Sequence, residues 1–462
     1  MKWGEINISQ AADAVNGDVF FDRSSKIFGV STDTRSIRTG DIYFAIEGDR
    51  FDGHDFVKEA SDKGASCIVI HKEITLKDIP TIKVKNTIEA LGNFAAWWRK
   101  HHHAKVIAIT GSVGKTTVKE MTALILSHAG VTLKTEGNFN NHIGVPHTLF
   151  KLTDEHQFAV IEIGMSKRGE ISRLAQIADP DIGLITNVGE AHLESLGSVQ
   201  GIAEAKWELA EYLLNKEFLL INGDNSLLND LAAKEKKNDH IISFGLGKNN
   251  IVKAENIVNH SNSSQFIITY NGRSYHARIN VPGFFFIVDA LAAVSVGISC
   301  GIPIETSIEA IGKFTTIKGR FYITKGCNNS LLIDDSYNAN PTSLEAGLKA
   351  ASDMRRGKGR LIVVLGDMLE LGQESIAFHK KAGQFIADIN ADLLITLGNY
   401  SEHILSGANS SGLAKTKTIR FLDHQETADY LSTNTHQGDV VFIKGSRGME
   451  MEKILNKLRY YN

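Results

Sequence analysis

Cysteine is scarce and scattered: three in 462 residues, at Cys67, Cys300 and Cys327, with no CxxC pair. That spacing excludes a disulfide framework and offers no zinc site, so the expectation is reduced, buried thiols in a cytoplasmic protein. No apolar run approaches the ~20 residues that span a bilayer. Met1-Lys2-Trp3-Gly4-Glu5 lacks the charged-then-apolar order of a signal peptide. Charge of one sign is missing too. A formal net charge of −3 gives no electrostatic case for nucleic acid or for an anionic membrane surface. No internal repeat or low-complexity segment stands out. His101-His102-His103 ends a basic helix, Trp97 to Lys105, and reads as a solvated boundary rather than a metal site.

What is present is ordinary in bulk and specific in detail. Hydrophobic residues make up 42% and charged residues 22%, as in a globular protein, and the length calls for two to three domains. Val106-Ile107-Ala108-Ile109-Thr110 reads as a strand, Gly111-Ser112-Val113-Gly114 as a turn, and Lys115-Thr116-Thr117 as a helix start. Gly111-x-x-Gly114-Lys115-Thr116 is a shortened form of the common phosphate loop. Backbone N–H groups, a helix N-terminus and a lysine converge there, and the fitting occupant is the polyphosphate of ATP or GTP. The apolar spacing of Val118, Met121, Leu124 and Ile125 supports the helix.

Alternation of strands and helices divides the chain into three α/β domains: 1–103, 104–315 and 316–462. In the first, Ile42–Ile46 and Cys67–Ile70 read as strands, Asp55–Lys63 and the stretch through Phe94–Arg99 as helices. In the second, Phe158–Ile161 and Ile182–Thr186 are near-continuous apolar strands, as in a parallel sheet covered on both faces. Asn271-Gly272 between alternating segments predicts a hairpin. In the third, strands fall at Leu331–Ile333, Leu361–Leu365, Leu393–Thr396 and Val440–Ile443.

A phosphate loop calls for magnesium, which takes hard oxygen ligands. Thr116 is the first candidate. Glu162, at a strand end on the ligand-binding edge of a parallel sheet, is the second. His192 follows another strand end on the same edge. Lys206, on the helix Val199–Leu214, reads from composition alone as a solvent-facing lysine.

These segments together resemble the Mur ligase family. The resemblance rests on Thr110–Thr117, on Glu136-Gly137-Asn138-Phe139-Asn140-Asn141-His142-Ile143-Gly144-Val145-Pro146, and on the His192/Lys206 pair. Asp334–Pro341, Leu365–Gly372 and Lys444–Met451 place it nearest the branch that adds a dipeptide, so it spans all three domains. It implies a small UDP-binding α/β domain, a central ATPase-like parallel-sheet domain and a C-terminal Rossmann-like domain. The implied activity is ATP-dependent joining of D-alanyl-D-alanine to UDP-N-acetylmuramoyl-tripeptide, for peptidoglycan synthesis, by a cytoplasmic monomer. Gly111, Ser112, Val113, Gly114, Lys115, Thr116 and Thr117 would hold ATP, with Arg320 near the γ-phosphate and Asp335 near the ribose. Thr116 and Glu162 would hold one Mg²⁺, and His192 would help hold a second. Lys206 matches a lysine that CO₂ converts to a carbamate, an anionic metal ligand. The catalytic set would be Lys115, His192, Lys206 and Arg320. Ser31, Asp33 and Arg35, with the segment Gly48–His54, would hold the UDP part. Asn138, Asn140 and Asn141 would meet the peptide and sugar, and Asn338, Asn340, Ser446 and Arg447 the dipeptide.

One departure stands out. After Pro282-Gly283 the family usually has a histidine and then an asparagine, where this chain has Phe285 and Asp289; Phe285 could stack on adenine and Asp289 could accept hydrogen bonds. Other readings stay open: a sister ligase, a folylpolyglutamate synthase, or a nucleotide-binding module that has lost ligation. The UDP-type first domain and Asp334–Pro341 argue against the folate enzyme.

Overall fold

A computed structural model describes residues 1–74, 79–213, 217–235, 239–355 and 359–458. Three large sheets organise these residues, beside a two-stranded antiparallel pair, Ile6–Asn7 with Lys26–Ile27. A five-stranded sheet runs in the order Asp18–Phe20, Thr81–Lys83, Cys67–Ile70, Asp41–Phe44, Gly29–Ser31, and only its first pair is antiparallel. A six-stranded sheet runs Tyr322–Lys325, Leu331–Asp335, Val440–Lys444, Leu361–Leu365, Leu393–Thr396, Thr418–Arg420, again antiparallel only at its first pair.

Between them in sequence lies a nine-stranded sheet. Its parallel part is Thr132–Lys134, Phe158–Glu162, Lys105–Thr110, Ile182–Ile185, Phe218–Asn222, Ile241–Gly245 and Val252–Asn259. The antiparallel hairpin Ser264–Tyr270/Arg273–Ile279 completes it. Asn271 and Gly272 sit in the hairpin turn at φ 48° and 72°, the left-handed pair that a two-residue connection needs.

The near-continuous apolar strands have a direct structural reason. Side chains alternate across a strand, and both faces of the central sheet are covered. Ile107, Ile109, Val160 and Leu184 enter a core that continues to Leu344 and Phe442 of the third domain. Val106, Ala108, Ala159 and Ile161 enter one that continues to Ile42 and Phe94 of the first. The central sheet is thereby fixed to both neighbours through its own interior.

The helix through Phe94 runs Thr87–Lys100 and is capped by Asn86, whose side chain accepts from the amides of Ile88 and Glu89. It ends before the histidines, and Lys105 already begins a strand. The expected solvated boundary needs correction at His102, which is buried and bonded through its two ring nitrogens to the carbonyls of Trp98 (2.9 Å) and Met1 (3.1 Å). The segment read as a helix over 55–63 splits into a 3₁₀ turn, Gly53–Phe56, and a helix, Val57–Asp62. The helix carrying Lys206 is described over Val199–Leu213, and Leu214 lies outside the described residues.

Candidate active site

The phosphate loop sits at the carboxyl end of strand Lys105–Thr110 and opens the helix Lys115–Leu126. Gly111 has φ 148°, and a Cβ there would fall 1.9 Å from the Thr186 hydroxyl, so no side chain fits. The loop is tied to the next strand end: Val113 donates its amide to Asn187 Oδ1 (2.9 Å), and Ser112 exchanges hydrogen bonds with the backbone of Gly189 (both 3.0 Å). Lys115 curls back to donate to the Gly111 carbonyl (2.7 Å). Burial holds its ammonium below the usual lysine range, with Arg320 adding to the effect and Glu162 opposing it.

Glu162 is 2% exposed at the end of strand Phe158–Glu162. Thr116 donates its hydroxyl to Oε2 (3.0 Å), and Asn140 donates its amide to Oε1 (2.8 Å). Lys206 is also 2% exposed, which overturns its solvent-facing reading. Burial, then the nearby Lys115 charge, holds it well below the ordinary lysine range. That shift enlarges the share of the amine that is neutral and nucleophilic.

His192 adopts a left-handed backbone (φ 61°) and places Nδ1 2.6 Å from Glu370 of the third domain. A second link between the same domains runs from the Thr342 hydroxyl to Glu190 (2.7 Å). Arg320 reaches toward Thr116 from the third domain, with its Nη2 3.5 Å from the hydroxyl and its guanidinium 3.9 Å above the Tyr337 ring. Asp335 accepts from Lys444 (2.5 Å) and from the Phe321 amide (3.0 Å). Burial raises its carboxyl despite that lysine.

A cavity of about 490 Å³ gathers most of the expected residues. Ser112, Val113, Gly114, Lys115, Thr117, Asn138, Asn140, Asn141, Glu162, His192, Lys206, Arg320, Asp335, Asn338, Asn340, Ser446 and Arg447 all line it. Several have internal duties. Asn141 accepts from the amides of Ile143 and Gly144 and shapes a turn. Asn340 caps the helix Pro341–Asp353 by accepting from Ser343 N (2.8 Å). Ser446 accepts from Leu369 N and donates to the Ala339 carbonyl. The Arg447 guanidinium pairs with Glu452, and its amide donates to Asn338 Oδ1 (3.3 Å).

Ser31, Asp33 and Arg35 lie apart from this cavity, at a strand end of the five-stranded sheet. Arg35 is 87% exposed and clasps Asp33 through Nε and Nη2. Thr32, beside them, is hydrogen-bonded to His147 of the central domain (2.9 Å).

At the family departure, Phe285 lines the cavity with its ring against Phe286 (4.2 Å) and Phe321 (5.6 Å). Asp289 is 8% exposed beside Gly114, and no hydrogen bond or ion pair reaches its carboxyl among the described residues. Burial raises its pKa well above the ordinary carboxylate value.

The donors present suit magnesium. A buried carboxylate and a hydroxyl 3.0 Å apart are hard oxygens beside a polyphosphate cradle. Among the described residues no three His, Cys, Asp or Glu side chains cluster as a complete metal cage. Mg²⁺ characteristically takes only one or two protein ligands and completes its shell with phosphate and water.

Residue patterns alone missed Lys119, Tyr337, Glu370 and Lys444. Lys119 had a legible signal: it lies on the stripe of Thr122 and Leu126, both buried, where an exposed lysine does not belong. The others become site residues only when the third domain closes on the second.

Fold and site together define a three-domain phosphate-loop enzyme with a cavity lined by its central and third domains. Residues 26–99 match the Mur ligase family catalytic domain, 109–297 the Mur ligase middle domain, and 319–447 the Mur ligase glutamate ligase domain. Similar along its length is the UDP-N-acetylmuramoyl-tripeptide–D-alanyl-D-alanine ligase of Haemophilus influenzae, 34% identical over 98% of each chain. The Escherichia coli enzyme of the same name is 35% identical, also over 98% of each. Among solved structures, MurF from Acinetobacter baumannii superposes with a TM-score of 0.90 at 31% identity, covering 98% of both chains. MurF ligase from Thermotoga maritima in complex with ADP gives 0.84 at 26% identity, covering 94% of this chain and 97% of that one. The chain belongs to the Mur ligase family.

Proposed function

We propose that this chain joins D-alanyl-D-alanine to UDP-N-acetylmuramoyl-tripeptide with cleavage of ATP to ADP and phosphate, yielding the pentapeptide precursor of peptidoglycan. The observation that carries the reading is one cavity in which Ser112–Lys115 of the phosphate loop, Glu162 and Arg320 of another domain meet, with Thr116 bonded to Glu162 just behind its wall. The relatives' names supply the substrates.

A carboxylate is a poor electrophile, because attack adds negative charge to an anion. In this scheme the tripeptide carboxylate oxygen attacks the γ-phosphorus, the bond to ADP breaks, and an acyl-phosphate forms. The dipeptide amine then attacks the acyl carbon, phosphate departs, and the amine loses a proton. Catalysis is positioning and charge neutralisation. Lys115 and the loop amides from Gly111 to Thr117 hold the β- and γ-phosphates, and Arg320 neutralises the transferring group. Thr116 and Glu162 would hold a magnesium ion, which would supply neutralisation of phosphoryl charge, and His192 would help hold a second. The buried amine of Lys206, in its neutral form, would add CO₂ with loss of one proton, giving a carbamate whose anionic oxygens could bind a metal as an amine cation could not. Asp335 lies on the ribose side.

Residues 1–103 bind the UDP precursor through Ser31, Asp33 and Arg35, 104–315 bind ATP, and 316–462 present the dipeptide through Asn338, Asn340, Ser446 and Arg447. Asn138, Asn140 and Asn141 face the peptide and sugar. Each sheet lying within one of those spans supports this division. The chain works as a cytoplasmic monomer. No described helix is long and apolar enough to cross a membrane.

Phosphate release from ATP, Mg²⁺ and UDP-N-acetylmuramoyl-tripeptide, with and without D-alanyl-D-alanine, is the test. Release that needs both substrates is expected. Release indifferent to the dipeptide would sink the assignment.

A further inference from the structure

The helix after the phosphate loop carries a lysine that this scheme leaves without a role. Lys119 lies one turn beyond Lys115 and is 1% exposed. An ammonium taken out of water is strongly unfavourable unless its charge and its N–H groups are answered, and an apolar side chain would fill the position more cheaply.

Three acceptors answer it. Nζ lies 3.2 Å from Glu120 Oε1, 3.5 Å from the Gly137 carbonyl and 3.9 Å from Glu162 Oε2. Gly137 stands in a left-handed turn (φ 52°), and no atom lies within 4 Å of where its Cβ would be. Lys119 reaches the carbonyl of this turn. Three residues on, Asn140 donates to the other oxygen of the same Glu162 (2.8 Å), and its carbonyl accepts from Gly164 N (2.9 Å). Lys119, Gly137, Asn140 and Glu162 thus form a closed ring of contacts around one carboxylate.

We propose that Lys119 is a positioning residue that locks the 136–141 loop to the Glu162 carboxylate, so that substrate grip and metal grip are set together. The inference rests on the ligase reading for its substrate and on Thr116 and Glu162 for its metal. Glu162 acts on the metal, and Lys119 acts only through Glu162 and the loop. With the ring broken, the loop and the carboxylate lose their common reference, although the phosphate loop itself is untouched.

The test is Lys119→Met, which keeps the stem and suits a buried site. Binding of UDP-N-acetylmuramoyl-tripeptide is measured by calorimetry, and Mn²⁺ binding in the presence of ADP by electron paramagnetic resonance. Both are expected to weaken by about tenfold, the lower range for groups that support a metal ligand. Metal-free ADP affinity and the KM for D-alanyl-D-alanine should stay at wild-type values. In a double-mutant cycle with Asn140→Ala, the two losses should fail to add, because both act on one ring. Wild-type binding constants, additive losses, or a Lys119→Met protein that loses its fold would each overturn the proposal. A wild-type chain that releases no phosphate with both substrates would fail the ligase reading instead, and the Mn²⁺ arm would still judge Lys119.

Discussion

Two strand ends in this molecule present their polar residues under opposite conditions. At the carboxyl end of the nine-stranded sheet, Glu162 and Lys206 are buried, Lys115 is half-buried, and the phosphate loop is bonded to the neighbouring strand end. At the strand end Gly29–Ser31 of the five-stranded sheet, Arg35 stands almost fully in water, held only by Asp33. The first arrangement strengthens every electrostatic interaction and leaves little to reorganise during reaction. The second leaves the guanidinium free to exchange its partner for a diphosphate. On the proposed function, one end would serve chemistry and the other capture.

Truncation of the buried end should give the largest effect. Lys115→Met is expected to lower kcat/KM by about 10³-fold, because a preorganised cation opposite the transferring phosphoryl group is lost. Initial rates with both substrates saturating and limiting would measure it. A loss under tenfold would erase the distinction between the two ends. At the exposed end, Arg35→Ala should raise the KM for the UDP substrate by about tenfold with kcat unchanged, the signature of uniform binding. A fall in kcat of the same size would mean that this corner takes part in the chemistry.

The smallest effect concerns the stability cost of the buried end. Asp289 has its pKa raised in the folded chain by burial. Between about 3.9, the value of an unfolded Asp, and its folded value, the folded state binds more protons. Stability is therefore undiminished at low pH and falls as pH rises through that window. Asp289→Asn removes the dependence, so thermal denaturation should show a larger gain for the variant at pH 8 than at pH 4. Equal gains at both would mean that the carboxyl is not buried as its surroundings indicate.

What was legible in the sequence follows the same division. The phosphate loop was readable because its chemistry is local: a strand, two glycines and a helix start dictate where N–H groups point. The strands Cys67–Ile70, Leu361–Leu365 and Leu393–Thr396 were readable because burial on both faces writes itself as unbroken apolar runs. Lys206 was not, since a lysine on a helix looks the same whether its face meets water or a neighbouring strand end. The three loop asparagines were alike in sequence, yet one bonds Glu162, one shapes a turn and one stands exposed. His102 escaped for a related reason, as its burial depends on the Met1 carbonyl, a hundred residues away. Glu370 and Tyr337 depend on how two domains meet, which no window of sequence contains.

The hairpin at the far edge of the central sheet bears on how the protein behaves in a crowded solution. An open strand edge invites a second chain to add itself, and a nine-stranded sheet has a long edge to offer. The outermost strand, Arg273–Ile279, turns Ala277 and Ile279 inward and exposes Arg273, Ser274, His276 and Arg278. Cationic side chains on that border repel an identical strand arriving edge to edge. The same hairpin that completes the sheet thereby works against its aggregation.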